Sequence, residues 1–376
     1  MKFRVLLSNL KKQLDEVAGI AGTAPNKEDI TQNILINVSD NMLNLKATNY
    51  NIELKTIIPL DDVESDGEIT VNANKLRDTL SNLDINSVVS ISLDEDKNVL
   101  VISDGNTSFE IRTRSSIDFP SFELEDIEQE ISIKQCLLKS IIDSSVFCVS
   151  NEDFRDYLKG IRFELNGSKL EIFTSDGHRM AILETQLANQ TSSGSFGAII
   201  TKKCAAQLSK ILNDSGESEV VLKFTKNAVR TSCNNFSLAS KLINCGYPNV
   251  RTVIPKSIDT TISIPRVTFN KLIQQVSVLS SKRVNGVSFS FGNGKVDLRS
   301  ENSEHEVATA SLVLPDAQTP IEISLNGQYV RDVLNVIKTD NVLFCFSQPM
   351  LNVLIKSDSS DNNELNASYI ISKVVV

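Results

Sequence analysis

Asp176 and His178, in the run Ser175-Asp176-Gly177-His178-Arg179, form the best acid/base pair that this 376-residue chain offers. A carboxylate beside an imidazole can move protons, but catalysis also needs a nucleophile and donors for developing negative charge. The sequence supplies neither: it has no Gly-rich phosphate loop, no Ser-centred nucleophile elbow and no tight ligand cluster. His178 and His305 are the only histidines, which argues against imidazole metal sites or triads. The acids Asp61-Asp62 and Asp94-Glu95-Asp96 read as solvated loop residues. Cys136, Cys148, Cys204, Cys233, Cys245 and Cys345 show no CxxC spacing, and read as reduced, mostly buried small hydrophobes. No catalytic residue, metal or cofactor is therefore expected, and the chemistry points to binding.

The elements that would carry a binding surface emerge from composition and repetition. Apolar residues make up 41% of the chain and Trp is absent, so the core must be mainly Ile, Leu and Val. The length suits two or three domains. No run of 18 apolar residues and no signal-peptide pattern appears, which sets the expectation of a cytoplasmic protein without a membrane partner.

Three segments pass from a short alternating strand into an amphipathic helix, starting at Phe3, Ile131 and Ile262, with offsets of 128 and 131. Val5, Ile133 and Ile264 correspond, as do Leu10, Leu138 and Phe269, then Leu14, Ile142 and Ile273. A second strand-helix unit begins at Ile69, Ala198 and Ile323. In it Val71, Ile200 and Leu325 match, followed by Leu76, Ala205 and Val330, and then Leu83, Leu212 and Ile337. This spacing keeps one apolar face along each helix. Alternating runs broken by Ser-Asp-Asn, Asn-Gly-Ser and Gly-Asn-Gly predict hairpins between the helices. The fold class is α+β: three repeated domains at 1–122, 123–253 and 254–376, each with two helices packed on antiparallel sheets.

Charge is distributed unevenly. The chain carries −9, yet the six predicted helix windows hold 13 Lys or Arg against 5 Asp or Glu, a sum of +8 that leaves −17 elsewhere. The basic candidates are Lys11, Lys12, Lys75, Arg77, Lys139, Lys202, Lys203, Lys210, Lys271, Lys282, Arg331 and Lys338. Lys also favours helices for reasons of propensity alone. The charge contrast nonetheless points to one mildly basic helix surface that meets nucleic acid through phosphates without reading bases.

The repeats, the opening Met-Lys-Phe, SDGHRMA at 175–181, DFP at 118–120 and GYPN at 246–249 together resemble the bacterial DNA polymerase III beta subunit, from end to end. That resemblance implies the DNA clamp fold, a ring-forming homodimer around duplex DNA, with helices lining the hole and sheets outside. It also implies a non-catalytic processivity factor for the replicative polymerase. Partners implied are the polymerase alpha subunit, the clamp loader, repair polymerases and mismatch-repair proteins, all docking through short peptides.

Residues matching the family's peptide pocket are Leu158, Ser175, Gly177, His178, Arg179, Met180, Pro248, Thr252, Val253, Asn326, Tyr329, Met350, Asn352, Ile370, Ser372, Val374 and Val376. A charge at Met180 is expected to abolish peptide binding and leave assembly intact. The resemblance places Tyr157 toward DNA, and packs Phe109 and Ile111 against Val278 and Leu279 of a second copy. Departures from the family pattern are the tail Ser372–Val376, Thr252 and Val284 near the pocket, and Ala24, Asn74, Glu152 and Asp156 where DNA-touching groups often stand. A repeat-built protein scaffold without DNA is the alternative; retention on circular but not linear DNA separates the two.

Overall fold

The structure, a computed structural model, describes residues 1–22, 29–188, 194–233, 235–349, 351–358 and 364–375. All six strand-helix units are present. Strands Lys2–Leu6, Gln129–Lys134 and Thr260–Pro265 lead directly into helices α1 (Leu7–Ala18), α3 (Gln135–Asp143) and α5 (Arg266–Val276). Strands Gly67–Asn72, Ser195–Thr201 and Ile321–Asn326 lead into α2 (Ala73–Ser81), α4 (Lys202–Ile211) and α6 (Gly327–Val336). The aligned apolar positions are buried, apart from half-buried Leu83. Each Leu, Ile or Phe so buried contributes roughly 2 kcal/mol from solvent exclusion.

The second helix of each repeat is capped from the preceding strand. Asn72 Oδ1 accepts from the Lys75 N–H, Thr201 Oγ1 from Cys204 and Asn326 Oδ1 from Tyr329, each at 3.1 Å. Such a cap satisfies a backbone donor that the helix leaves open, worth about 1 kcal/mol. The predicted hairpin turns also form, and they need left-handed backbone: Asp40 and Asn41 have φ +53° and +58°, Gly167 +62° and Asn293 +52°.

By contacts the chain divides into two units, Met1–Cys136 with Ala206–Leu242, and Leu137–Ala205 with Ile243–Val376. The division cuts the middle repeat because strands pair across repeats inside each unit. In the first unit, Phe236–Lys241 joins Ile52–Pro59, with Leu238 opposite Leu54, in a 13-stranded antiparallel sheet. In the second, Arg179–Gln186 joins Asn366–Ser372, with Met180 opposite Ile370, in an eight-stranded sheet. A separate four-stranded sheet has Val307–Val313 at one edge and Ile321–Asn326 at the other.

Aromatic packing anchors the second unit: Phe269 of α5 lies 5.7 Å from Phe289 and 5.5 Å edge-on to Phe344. Helices α5 and α6 pack closely there, and a Cβ on Gly327 would stand 2.7 Å from Ser277 Oγ. Among the described residues no helix is long and apolar enough to cross a membrane, and no group of three metal-ligating side chains occurs. None of the six cysteines is in a disulfide; Cys148, Cys204 and Cys345 are buried, Cys136 and Cys233 half-buried, and Cys245 exposed.

Candidate functional site

Ser175–Arg179 turns the chain between strands Lys169–Ser175 and Arg179–Gln186, and its own side chains wire it. Asp176 Oδ1 accepts from the N–H groups of His178 and Arg179, both at 3.0 Å. Ser175 Oγ accepts from the Gly177 N–H at 3.0 Å and donates to the Arg179 carbonyl at 2.7 Å. Gly177 sits at φ +90°, a left-handed conformation that favours glycine, and a Cβ there would push against Arg155 Nη2 at 2.7 Å. The acid/base pair considered from sequence does not form. Asp176 meets His178 only through the backbone N–H, while its Oδ2 takes Arg179 Nε at 2.9 Å.

Arg179 is the tie beneath this turn, with its side chain only 11% exposed. Its Nη1 donates to Asp332 on α6 at 2.6 Å, and its Nη2 to the Phe147 carbonyl at 2.6 Å. The guanidinium lies 4.2 Å from the Tyr329 ring and 5.2 Å from that of Phe147, within cation–π range. Burial opposes the charge, but the bond to Asp332 and the nearby carboxylates outweigh it and hold the Arg179 pKa above its usual range. Beside it, burial pushes the Cys148 thiol far up, which leaves that cysteine neutral.

Above the turn lies a cleft of about 170 Å³. Met180, Val250 and Ile370 form its floor, as the upper layer of a cluster with Phe173, Ile182, Cys345 and Leu354. Pro248 and Val253 make one wall, Leu158 and Tyr157 another, and Ser175, Gly177, His178, Arg179 and Ser372 line the polar lip. An apolar floor with a few fixed polar groups at the rim suits an extended peptide whose anchor side chains point inward.

Most residues matched to the pocket converge here, and the structure separates the rest. Thr252 does not line the cleft; its Oγ1 donates to the Asn249 carbonyl at 3.0 Å. Asn326 caps α6 and donates to the Val284 carbonyl at 2.9 Å, and Tyr329 stacks on Arg179, so both frame the site from below. Asn352 pairs with Ser372 in the sheet. Val374 donates its N–H to the Ser324 carbonyl at 2.8 Å and lines a separate groove of about 780 Å³ with Val284, Arg299 and His305. Met350, Val376 and Ala24 lie outside the described residues.

Arg155, Val250 and Tyr157 complete the cleft although none was assigned to it from sequence. Tyr157, expected toward DNA, lines the cleft from the short helix Asp156–Lys159, edge-on to Tyr247 at 5.9 Å. Val250 could have been found, since it stands between Pro248 and Val253. Arg155 could not, because its reach follows from a fork onto Asp153 at 2.9 Å through both Nε and Nη2. That fork holds the Asp153 carboxyl down at about 2. Met180 is 6% exposed and belongs to the core, so a charge there would disrupt packing rather than merely block a ligand.

The basic helix residues also divide. Lys11 is engaged by Asp15 at 2.6 Å and Ser81 at 2.8 Å, Arg77 by Asp78, and Lys139 by Asp143 at 3.0 Å. Lys202 is tucked against the Val149 carbonyl and Asn151 Oδ1, both at 2.8 Å; burial, and then Arg179, push its pKa down. Arg331 ties α6 to Asn270 of α5 at 3.2 Å. Lys282 and Lys338 lie beyond the helix ends, a correction to the predicted windows. Lys12, Lys75, Lys203, Lys210 and Lys271 remain as exposed helix cations, of which Lys12 stands 4.0 Å from Glu16.

Of the four residues expected at a dimer contact, Ile111 is already buried in its own unit. Phe109 and Leu279 are half-buried, and Val278 is 77% exposed.

The chain was compared with known proteins. Family models for the DNA polymerase III beta subunit match its N-terminal domain over residues 1–123, its central domain over 132–249 and its C-terminal domain over 251–370. The beta sliding clamp of Vibrio cholerae is 30% identical over 374 residues, covering 100% of both chains, and that of Salmonella typhimurium 29% over 371 residues, covering 99% of each. A solved structure of the DnaN sliding clamp of Pseudomonas aeruginosa bound to griselimycin matches with a TM-score of 0.92 at 27% identity, covering all of both chains. The Bartonella birtlesii DnaN clamp bound to griselimycin matches at 0.89 and 27% identity, also over all of both chains.

Proposed function

Because the chain belongs to the DNA polymerase III beta subunit family, we propose that the cleft over Met180, Val250 and Ile370 is where this clamp receives the peptide segments of its partners. Membership makes the protein a DNA polymerase sliding clamp, a non-catalytic ring-forming subunit that holds polymerase on DNA. The scaffold alternative has no remaining support. The observation that carries the cleft reading is its construction: an apolar floor continuous with the core, exposed Val253 on one wall and a glycine turn bonded by its own side chains at the lip. Such a groove takes apolar anchors without first having to order itself.

Partners entering it would be the polymerase alpha subunit, the clamp loader, repair polymerases and mismatch-repair proteins, in the cytoplasm. Griselimycin, which two related clamps bind, is the probe. Calorimetry should give saturable binding to the full chain and at least a tenfold loss in Val253→Asp, with unchanged circular dichroism. Equal affinity in the two proteins would remove the cleft from this role.

Exposed Lys12, Lys75, Lys203, Lys210 and Lys271 would form the phosphate-facing set. Weak, salt-sensitive contacts suit a ring held by topology, since tight contacts would stop sliding. Phe109, Val278 and Leu279 would be covered by the second copy, and unpaired strand edges such as Val307–Val313 call for such cover.

A further inference from the structure

The wall that carries Val253 belongs to a short turn, Val250–Val253, and one side chain ties that turn to the sheet. A four-residue 3₁₀ helix has too few hydrogen bonds to be rigid by itself. Here the local ones are few: Asn249 Oδ1 accepts from the Arg251 N–H at 3.3 Å, the Ile254 N–H reaches the Arg251 carbonyl at 3.3 Å, and Thr252 Oγ1 donates to the Asn249 carbonyl at 3.0 Å. The stronger anchorage comes from the Arg251 side chain. Its Nη2 donates to Glu164 Oε2 at 2.9 Å and to Glu171 Oε2 at 2.8 Å, two carboxylates on neighbouring strands. Both acids are largely buried while the Arg251 side chain is 43% exposed, so the pairs are shielded from screening only in part. The same guanidinium lies 4.8 Å over the ring of Phe173, a member of the cluster that forms the cleft floor.

We propose that Arg251 is the positioning residue of this cleft: it locks the Val250–Val253 wall to both the sheet and the floor, and so sets the width between Val253 and Met180 that a bound peptide finds. The proposal rests on the reading of the cleft as a peptide site. Arg251 itself does not line the cleft and acts through its neighbours. A lysine replaces it only in part: an ammonium can bridge two carboxylates, as Lys169 does, but it has no guanidinium plane to offer the Phe173 ring.

The test compares griselimycin affinity by calorimetry in full-length variants. Arg251→Ala should bind at least tenfold more weakly, and Arg251→Lys should recover only part of that loss. Lys169→Ala is the control. It breaks the bonds from Lys169 to Glu171 and Glu184, both 3.1 Å, in the same charged row but leaves the wall untouched, so its affinity should stay within twofold. Arg251→Ala binding within twofold of the unaltered protein overturns the proposal, as does an equal loss in Lys169→Ala, which would mark a general sheet effect. If Val253→Asp binds normally, the cleft reading itself has failed; if Val253→Asp loses binding while Arg251→Ala keeps it, only the positioning role has.

Discussion

Arg179 donates to the carboxylate of Asp332 at 2.6 Å across 153 residues of chain, and so fastens the turn at the cleft lip to helix α6. The pair is poorly exposed on both sides, so removing the cation strands Asp332 without its partner. Arg179→Ala should lower unfolding free energy by about 3 kcal/mol, as broken buried pairs do. Urea denaturation followed by circular dichroism measures it, and a loss under 1 kcal/mol would show that the tie is dispensable.

The two hydrophobic positions Val253 and Met180 should respond differently to the same chemistry. An aspartate at 253 meets water and should block the cleft with little change in melting temperature. An aspartate at 180 must enter the core cluster and should destabilise the fold by several kcal/mol. Thermal melts of the two variants side by side decide this, and equal melting temperatures would contradict the placement of Met180.

Glu171 gives the fold a signed dependence on pH. Burial alone would raise its pKa, but Lys169 and Arg251 outweigh burial and bring it below its ordinary value near 4.5. A folded-state pKa lowered in this way adds stability that is fully present above about pH 4.5 and lost as pH falls through the folded value. Glu171→Gln should therefore flatten the fall in stability below pH 4.5, as read from urea midpoints across an acid series. An unchanged slope would assign the acid sensitivity to other carboxylates.

Salt dependence should expose the phosphate-facing helices. Replacing Lys75, Lys203, Lys210 and Lys271 by alanine should reduce the slope of log affinity for duplex DNA against log salt by about one per lost contact. Fluorescence anisotropy over a salt series reads the slope; the same four changes leaving it intact would place DNA elsewhere.

Assembly should depend on Val278. Val278→Asp is expected to shift the solution mass from near twice 41.4 kDa to 41.4 kDa, measured by light scattering, without loss of helical signal. A dimer that persists would take Val278 out of the contact.

The strand-helix units were legible because their signals are local. Leu10 and Leu14 recur at helical spacing, and the Ser-Asp-Asn break at Asp40-Asn41 marks a hairpin turn, each within a few residues of what it shapes. Threefold recurrence then turned weak local signals into a domain count. Ser175, Gly177, His178, Arg179 and Met180 came from the family likeness of the SDGHRMA run.

Tertiary structure alone decided which side chains share a surface. Tyr157 lines the cleft from a short helix, Lys202 bonds the Val149 carbonyl and Asn151, and Ile111 is buried in its own unit. The bonds from Arg179 to Asp332, and from Arg251 to Glu164 and Glu171, join residues whose separation along the chain carries no period. Local sequence sets backbone direction and the buried face over one or two turns. Long-range partners depend on how whole sheets come together, and no short window of residues encodes that.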